Sequence, residues 1–325
     1  MTNFEIVITD CDHENITIEK EILAFGNKTF VLKQCKTESD LIEECQGASV
    51  WINQYAPITK NVIESCPDLK LVVRYGVGVN NVDLDAATEH GVQVCNIPDY
   101  GTQEVADHAL ALMLSLTRKI SKMNRSVKNG EWDYQKGIPI YRHSAQTIGI
   151  IGLGRIGTEF ARRVLALGCR VVVYDPNRNK NSSYGFNNQV EFVSFDQLLA
   201  ESDVISIHCP LDSAQKLIST VELQKMKPSS YLINVSRGGI IDEEALNLAL
   251  ENGWIAGAAL DVAEQEPIAK ESPLLLRDNF LCTPHMAWYS EQSAKELKRK
   301  VAEESVRFLD GQLLHYPVNK LKNRE

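Results

Sequence analysis

The chain has 325 residues, 44% of them hydrophobic, and a formal net charge of −9. That length allows two domains with proper cores, no apolar run is long enough for a membrane helix, and an acidic chain without a Lys/Arg cluster excludes a basic nucleic-acid footprint. A soluble α/β protein acting on small molecules or on other proteins is the class that remains.

The first ten residues begin an acidic-flanked strand and lack the basic start and apolar core of a signal peptide, which points to the cytoplasm. Eight cysteines without a C-x-x-C pair suit reduced, mostly buried thiols better than disulfides or zinc ligands, so no metal is expected. Strand-like runs at 6–9, 29–32, 48–52, 71–74 and 92–96 alternate with amphipathic stretches at 37–45 and 59–65, which reads as a parallel α/β unit. Thr37 with Asp40 reads as the cap of the first helix, and Pro57 as the opening of the second. Residues 102–121 predict one long helix, apolar nearly all round and so buried between domains or subunits. The polar stretch 124–144, with Trp132, Tyr134 and Tyr141, reads as an arm packing on a partner subunit, or as a surface loop.

Next comes Ile148-Gly149-Ile150-Ile151-Gly152-Leu153-Gly154-Arg155-Ile156-Gly157, an apolar strand running through G-x-G-x-x-G into a helix expected over 158–167. Glycines at this spacing also serve ordinary strand–helix turns; the strand before, the helix after and the acid further on favour a dinucleotide-binding turn. In that reading Gly152 permits the tight turn, Gly154 admits a pyrophosphate, and the amides of the helix start, Arg155 and Ile156 among them, face its charge. The second strand, 170–174, ends in Asp175, where a carboxylate would accept from both ribose hydroxyls and repel a 2′-phosphate, predicting NAD. Arg178 is the residue that could reach a 2′-phosphate and admit NADP. Strands at 190–192, 204–208, 231–235, 256–261 and 280–283, and helices at 196–200, 220–226 and 243–252, complete a doubly wound sheet. The helix 290–309, closed by Gly311, is expected to return to the first domain. The fold class is therefore a Rossmann doubly wound parallel sheet plus a second, flavodoxin-like α/β domain formed from both chain ends, 1–100 and 288–325 around 101–287.

Polar residues sit just past strand ends, where open α/β sheets bind ligands, at 234–239, 261–267 and 283–288. Hydride transfer to a 2-keto acid needs a proton donor, a cation for the carboxylate and carbonyl, and a group that keeps the donor charged. His285, Arg237 and Glu266 fill those roles, since an adjacent carboxylate favours the charged ring and orients it. Each also has an ordinary reading: a strand-end cap for Arg237, a surface ion pair for Glu266, a satisfied loop histidine for His285.

Together with His208-Cys209-Pro210-Leu211, Asn234-Val235-Ser236-Arg237-Gly238-Gly239, Ala259-Leu260-Asp261-Val262 with Glu266-Pro267, and Thr283-Pro284-His285, the glycine turn and Asp175 resemble the D-2-hydroxyacid dehydrogenase family over nearly the whole chain. The resemblance implies that Arg237 binds substrate carboxylate and carbonyl, that Glu266 holds His285, and that His285 is the acid/base. It further implies cofactor contacts at Thr102, His208 and Pro210, with Asp261 and the backbone near Val235 holding the nicotinamide carboxamide and Asp175 the adenosine ribose. Arg74-Tyr75-Gly76-Val77-Gly78 resembles the substrate loop, placing Arg74, Val77 and Gly78 at the substrate carboxylate. Trp288 resembles the pocket tryptophan of the family's corepressor branch, and an indole wall favours apolar or thioether side chains.

The segment 208–218 is one residue shorter than usual in the family, with Gln215 near where many relatives carry Thr, and 51–55 carries no cation where phosphoglycerate enzymes place arginine. The reading is an NAD-dependent D-2-hydroxyacid dehydrogenase, a homodimer whose domains close over a small 2-keto or 2-hydroxy acid. The alternatives are a D-3-phosphoglycerate dehydrogenase with no regulatory domain expected beyond residue 325, and an NAD-sensing corepressor-like binding protein.

Overall fold

The computed structural model describes residues 4–178, 185–186, 189–211 and 214–321. Two compact units emerge, Met1–Gly101 with Ser290–Glu325, and Thr102–Tyr289. Among the described residues no helix is long and apolar enough to cross a membrane.

The first unit alternates β1 (Ile6–Ile8), α1 (Thr17–Phe25), β2 (Phe30–Leu32), α2 (Glu38–Glu44), β3 (Val50–Asn53), α3 (Lys60–Ser65), β4 (Leu71–Arg74), α4 (Leu84–Glu89) and β5 (Gln93–Cys95). All strand pairings are parallel, in the order β2-β1-β3-β4-β5 of a flavodoxin-like sheet. Helices cover both faces of such a sheet, which is why β1 is an unbroken apolar run and β3 is apolar up to Asn53, both fully buried. Thr37 and Asp40 form the expected capping box of α2. The opening of α3 differs from the sequence reading: the Thr59 hydroxyl, not Pro57, ends the preceding turn by accepting from the Val62 amide. The C-terminal helix, Glu291–Leu309, is capped by Ser290 and packs on α1, β3 and β4.

The second unit opens with α5 (Thr102–Thr117) and α6 (Ile120–Lys128). It continues with β6 (Thr147–Ile151), α7 (Arg155–Ala166), β7 (Arg170–Tyr174), β8 (Val190–Phe192), α8 (Phe195–Glu201), β9 (Val204–Ile207), α9 (Thr220–Lys225), β10 (Tyr231–Asn234), α10 (Glu243–Glu251), β11 (Gly257–Leu260) and β12 (Phe280–Cys282). The seven-stranded sheet runs β12-β11-β10-β9-β6-β7-β8, all parallel. Strand order reverses between β6 and β9, the switch point at whose carboxyl ends a Rossmann fold binds its nucleotide. Helix α7 begins at Arg155, three residues before the expected start at 158, because the Gly154 carbonyl already accepts from the Thr158 amide at 3.0 Å.

The long helix expected over 102–121 is two helices. Lys119 takes a left-handed backbone, φ 55°, which no helix interior accommodates, and the Thr117 hydroxyl folds back on the Met113 carbonyl at 2.8 Å. The stretch 124–144 is accordingly helical as far as Lys128, then follows short 3-10 turns at Tyr134–Gly137 and His143–Ala145. Trp132 and Tyr134 on it are 87% and 78% exposed, an amount of aromatic surface that solitary packing does not explain.

Candidate active site

At the carboxyl end of β6 the three glycines of the turn have different reasons to be glycine. Gly152 has φ +90°, and a Cβ there would stand 2.8 Å from the Cys209 amide nitrogen, so the turn lies directly on the end of β9. A Cβ on Gly157 would fall on the Gly152 carbonyl oxygen, which explains how α7 starts so close to the strand. Around Gly154 nothing lies within 4 Å of a Cβ. That space belongs to a cleft of about 420 Å³ lined by Thr102, Gly154, Arg155, Thr158, Glu159, Arg162 and Arg178. A helix N-terminus, three arginines and an open glycine suit a pyrophosphate by charge and by shape. Asp175, at the end of β7, accepts from the Leu153 amide at 2.8 Å and the Asn177 amide at 2.9 Å, with Arg178 Nε at 4.0 Å. These bonds fix the carboxylate beside the turn, where a ribose would lie.

Past β10, β11 and β12, three loops converge. His285 Nδ1 donates to Glu266 Oε2 at 2.7 Å, since the carboxylate can only accept, and the ring's Nε2 is the nitrogen this bond does not use. The second Glu266 oxygen accepts from the Ala263 amide at 3.1 Å. Burial works against the charged carboxyl, yet the hydrogen bond and charge of His285, the Ala263 amide and the nearby Arg237 together hold its pKa below the ordinary 4.5. Arg237 comes near because a Cβ on Gly238 would fall on the Ala263 carbonyl oxygen: only glycine lets the arginine turn rest on the Glu266 loop. Arg237 donates to the Ser236 carbonyl at 2.7 Å, and Asn234 braces the turn through the Arg237 carbonyl at 2.8 Å. Trp288 is half-buried, packs against the second unit's core and meets Tyr289 edge-on at 5.5 Å. Val235 is buried at 6% and offers only backbone, whereas Pro210 is exposed. The shortened segment after it includes residues 212–213, outside the described residues.

The His208 ring is turned inward, 2.9 Å from the Ser206 hydroxyl and 5.1 Å from the Phe160 ring, and among the described residues its buried Nδ1 has no partner. Burial alone pushes its pKa down to about 3. The folded ring therefore stays neutral where the unfolded chain binds a proton; its contribution is complete above pH 6.5 and is lost as pH falls from there toward 3. At pH 4.5, about two units below the ordinary value of 6.5, the loss amounts to about 3 kcal/mol. His208→Asn should thus lose less stability than the parent between neutral pH and about pH 4.5 in urea titrations; equal losses would contradict the buried neutral ring.

In the first unit, Gly76 has φ +134° and a Cβ there would collide with the Arg74 guanidinium, which donates to the Tyr75 carbonyl. The Gly76 carbonyl accepts from the Ile97 amide at 2.9 Å and the Val77 carbonyl from Asn96 Nδ2 at 2.7 Å. Among the described residues the Val77 and Gly78 amides have no protein acceptor, the state a carboxylate-binding loop requires. The end of β3 bears no cation of its own, but Arg74 acts electrostatically on Tyr55. Negative charge is present as well: Asp10 accepts from Asn53, Gln54, Tyr55 and Ala56, and Tyr55 donates to Asp12 at 3.0 Å.

Three contacts escaped the sequence reading, those of Gly238, His108 and the hydroxyl of Thr283. Asp261, expected at the nicotinamide, is 1% exposed and accepts from the Thr283 hydroxyl at 2.6 Å and from the Met286 and Ala287 amides at 3.0 and 2.8 Å. The S-R-G and T-P-H spacings carry no trace of such contacts, because they depend on which loop crosses which. A histidine on the polar first half of α5, beside Glu104 and Asp107, gave no distinct signal for His108.

A family model described as D-isomer specific 2-hydroxyacid dehydrogenase, NAD binding domain, matches residues 110–287. The chain is 38% identical over 307 residues to a D-3-phosphoglycerate dehydrogenase of Archaeoglobus fulgidus, which covers 93% of this chain but only 58% of that relative. With a glyoxylate reductase of Korarchaeum cryptofilum it shares 38% identity over 264 residues, 79% of this chain and 78% of the other. Among solved structures, D-lactate dehydrogenase from Aquifex aeolicus, complexed with NAD and lactic acid, aligns with a TM-score of 0.86 at 28% identity, covering 94% of this chain and 96% of that one.

Proposed function

The chain belongs to the D-isomer-specific 2-hydroxyacid dehydrogenase family, its second unit being the NAD-binding domain, and on that premise we propose that it interconverts a small 2-keto acid and its D-2-hydroxy acid. The observation that carries the reading is the 2.7 Å bond from His285 Nδ1 to Glu266, with the Arg237 turn resting on the same loop. Bound NAD(H) supplies or accepts the hydride. In reduction, His285 gives the proton on Nε2 to the carbonyl oxygen, and in oxidation it withdraws the hydroxyl proton; Glu266 stabilises the charged ring in both directions and fixes which nitrogen works. Arg237 neutralises the substrate carboxylate and polarises the carbonyl. On the first unit, Arg74 and the Val77 and Gly78 amides are the proposed carboxylate ligands. Thr102, Gly152, Gly154, Arg155 and Ile156 are assigned to the cofactor phosphates, Asp175 to the ribose, and Pro210 and the Val235 backbone to the remainder. The fold is a homodimer in this reading, with the exposed aromatic arm covered by a second copy. Six buried cysteines among eight unpaired ones suit the cytoplasm.

Asp10 and Asp12 at the end of β1 would repel a phosphorylated substrate, which favours an unphosphorylated keto acid, and Trp288 favours an apolar or thioether side chain. The deciding assay follows NADH and NADPH oxidation with pyruvate, glyoxylate, hydroxypyruvate, phenylpyruvate, 4-methylthio-2-oxobutyrate and 3-phosphohydroxypyruvate. NADH turnover strongest with an apolar acid is expected. Preference for the phospho-acid would make the chain a phosphoglycerate dehydrogenase, and tight NADH binding without any turnover would favour the corepressor-like binding role.

A further inference from the structure

His285 holds a backbone conformation that a side chain disfavours, φ +51°. Such a residue persists only where its surroundings over-determine it. Asp261 supplies that constraint from both of its ends. Its backbone carbonyl accepts the His285 amide at 2.8 Å, while its buried carboxylate accepts the next two amides, Met286 at 3.0 Å and Ala287 at 2.8 Å. The carboxylate is itself held in turn. Thr283 Oγ1 lies 2.6 Å from Asp261 Oδ1 and 2.9 Å from His108 Nε2. A carboxylate only accepts, so the hydroxyl must donate to Asp261 and can only accept from His108; His108 therefore carries its proton on Nε2. The same nitrogen is 3.6 Å from Asp261 Oδ1. A directed chain thus runs from His108 on α5, through Thr283 at the end of β12, to Asp261 at the end of β11, and stops under the acid/base histidine.

We propose that Thr283 and His108 are positioning residues for the reaction: through Asp261 they hold His285 in its strained backbone, so that Nε2 faces the reacting oxygen, and Asp261 acts here as a clamp on the loop. The inference rests on the reading of His285 as the acid/base. It also accounts for a threonine directly before Pro284. Valine has the same shape but neither donates to the buried carboxylate nor accepts from His108, whereas serine keeps both bonds.

The test compares the parent with Thr283→Val, Thr283→Ser and His108→Leu. Thr283→Val should lower kcat by about 10- to 100-fold, the scale of a small displacement of a catalytic group, with NADH affinity within about threefold of the parent. Thr283→Ser should restore most of the rate, and His108→Leu should fall between the two. A Thr283→Val enzyme with parental kcat overturns the proposal. So does a set in which valine and serine lose melting temperature, cofactor affinity and rate alike, the signature of a merely structural threonine. The imidazole nitrogen resonances of His285, identified by their disappearance in His285→Gln, give a readout without turnover. They should move in Thr283→Val and return in Thr283→Ser. Should the parent reduce no keto acid, the functional reading fails while these resonances still decide the positioning claim; if they stay where they are, the claim fails too.

Discussion

His285→Gln should lower kcat for keto-acid reduction by about 10²- to 10⁴-fold, the contribution of a positioned general acid, while leaving NADH affinity within about threefold. Glutamine keeps much of the ring's volume and can still reach Glu266, so the loop should survive and only the transferable proton disappear. Glu266→Gln probes the other partner. It retains an acceptor for His285 Nδ1 but removes the charge that stabilises the imidazolium, so a smaller fall in kcat and a narrower pH range of activity are expected. The depressed pKa of Glu266 sets the acid side of that profile: the carboxylate is fully charged above the ordinary value of 4.5 and its charge is lost as pH falls through the lower folded value. A parent whose rate rises on acidification below that value, or a His285→Gln enzyme with ordinary kcat, would remove His285 from the chemistry.

How much of this was legible beforehand depends on whether the signal was local. Most parallel strands of both sheets are apolar runs bounded by turn residues, and β6 with its glycines carries strand, turn and helix start within ten residues, so their order along the chain gives a flavodoxin-like and a Rossmann sheet. The break in α5 was not readable, since residues 113–119 contain neither proline nor glycine; a threonine folding back on its own turn and a left-handed lysine end the helix there. His208 sits in a motif shared with cofactor-binding relatives, yet its side chain points inward to Ser206 and Phe160, a choice made by packing beneath Gly157. The pairing of His285 with Glu266 could be guessed from chemical need. Its support could not: Gly238 against Ala263, and Thr283 between Asp261 and His108, join elements up to 175 residues apart in the chain. Spacing patterns reveal which residues start a strand end, and only the folded loops reveal which of them touch.

The glycines of the β6 turn give the sharpest separation of fold from ligand. Gly157→Ala places a methyl on the Gly152 carbonyl oxygen, and neither partner is a flexible side chain, so α7 must move off its strand. A loss of about 3 kcal/mol is expected in urea unfolding of the apoprotein, the upper range of overpacking. Gly154→Ala is the opposite case. Its backbone, φ −70° and ψ −161°, is open to any residue, and the new methyl meets no protein atom within 4 Å. The apoprotein should therefore melt within about 2 °C of the parent. What the methyl does enter is the cleft shared with Thr102, Arg155, Thr158, Arg162 and Arg178, where backbone must approach the pyrophosphate closely. An obstruction of roughly 1–3 kcal/mol there weakens NADH binding about 5- to 100-fold, read by fluorescence titration. Parental NADH affinity in Gly154→Ala would mean that the cofactor phosphates do not lie against this glycine, and the arginine-lined cleft would lose its assignment. A Gly154→Ala apoprotein as unstable as Gly157→Ala would show instead that the fold, and not the ligand, demands both.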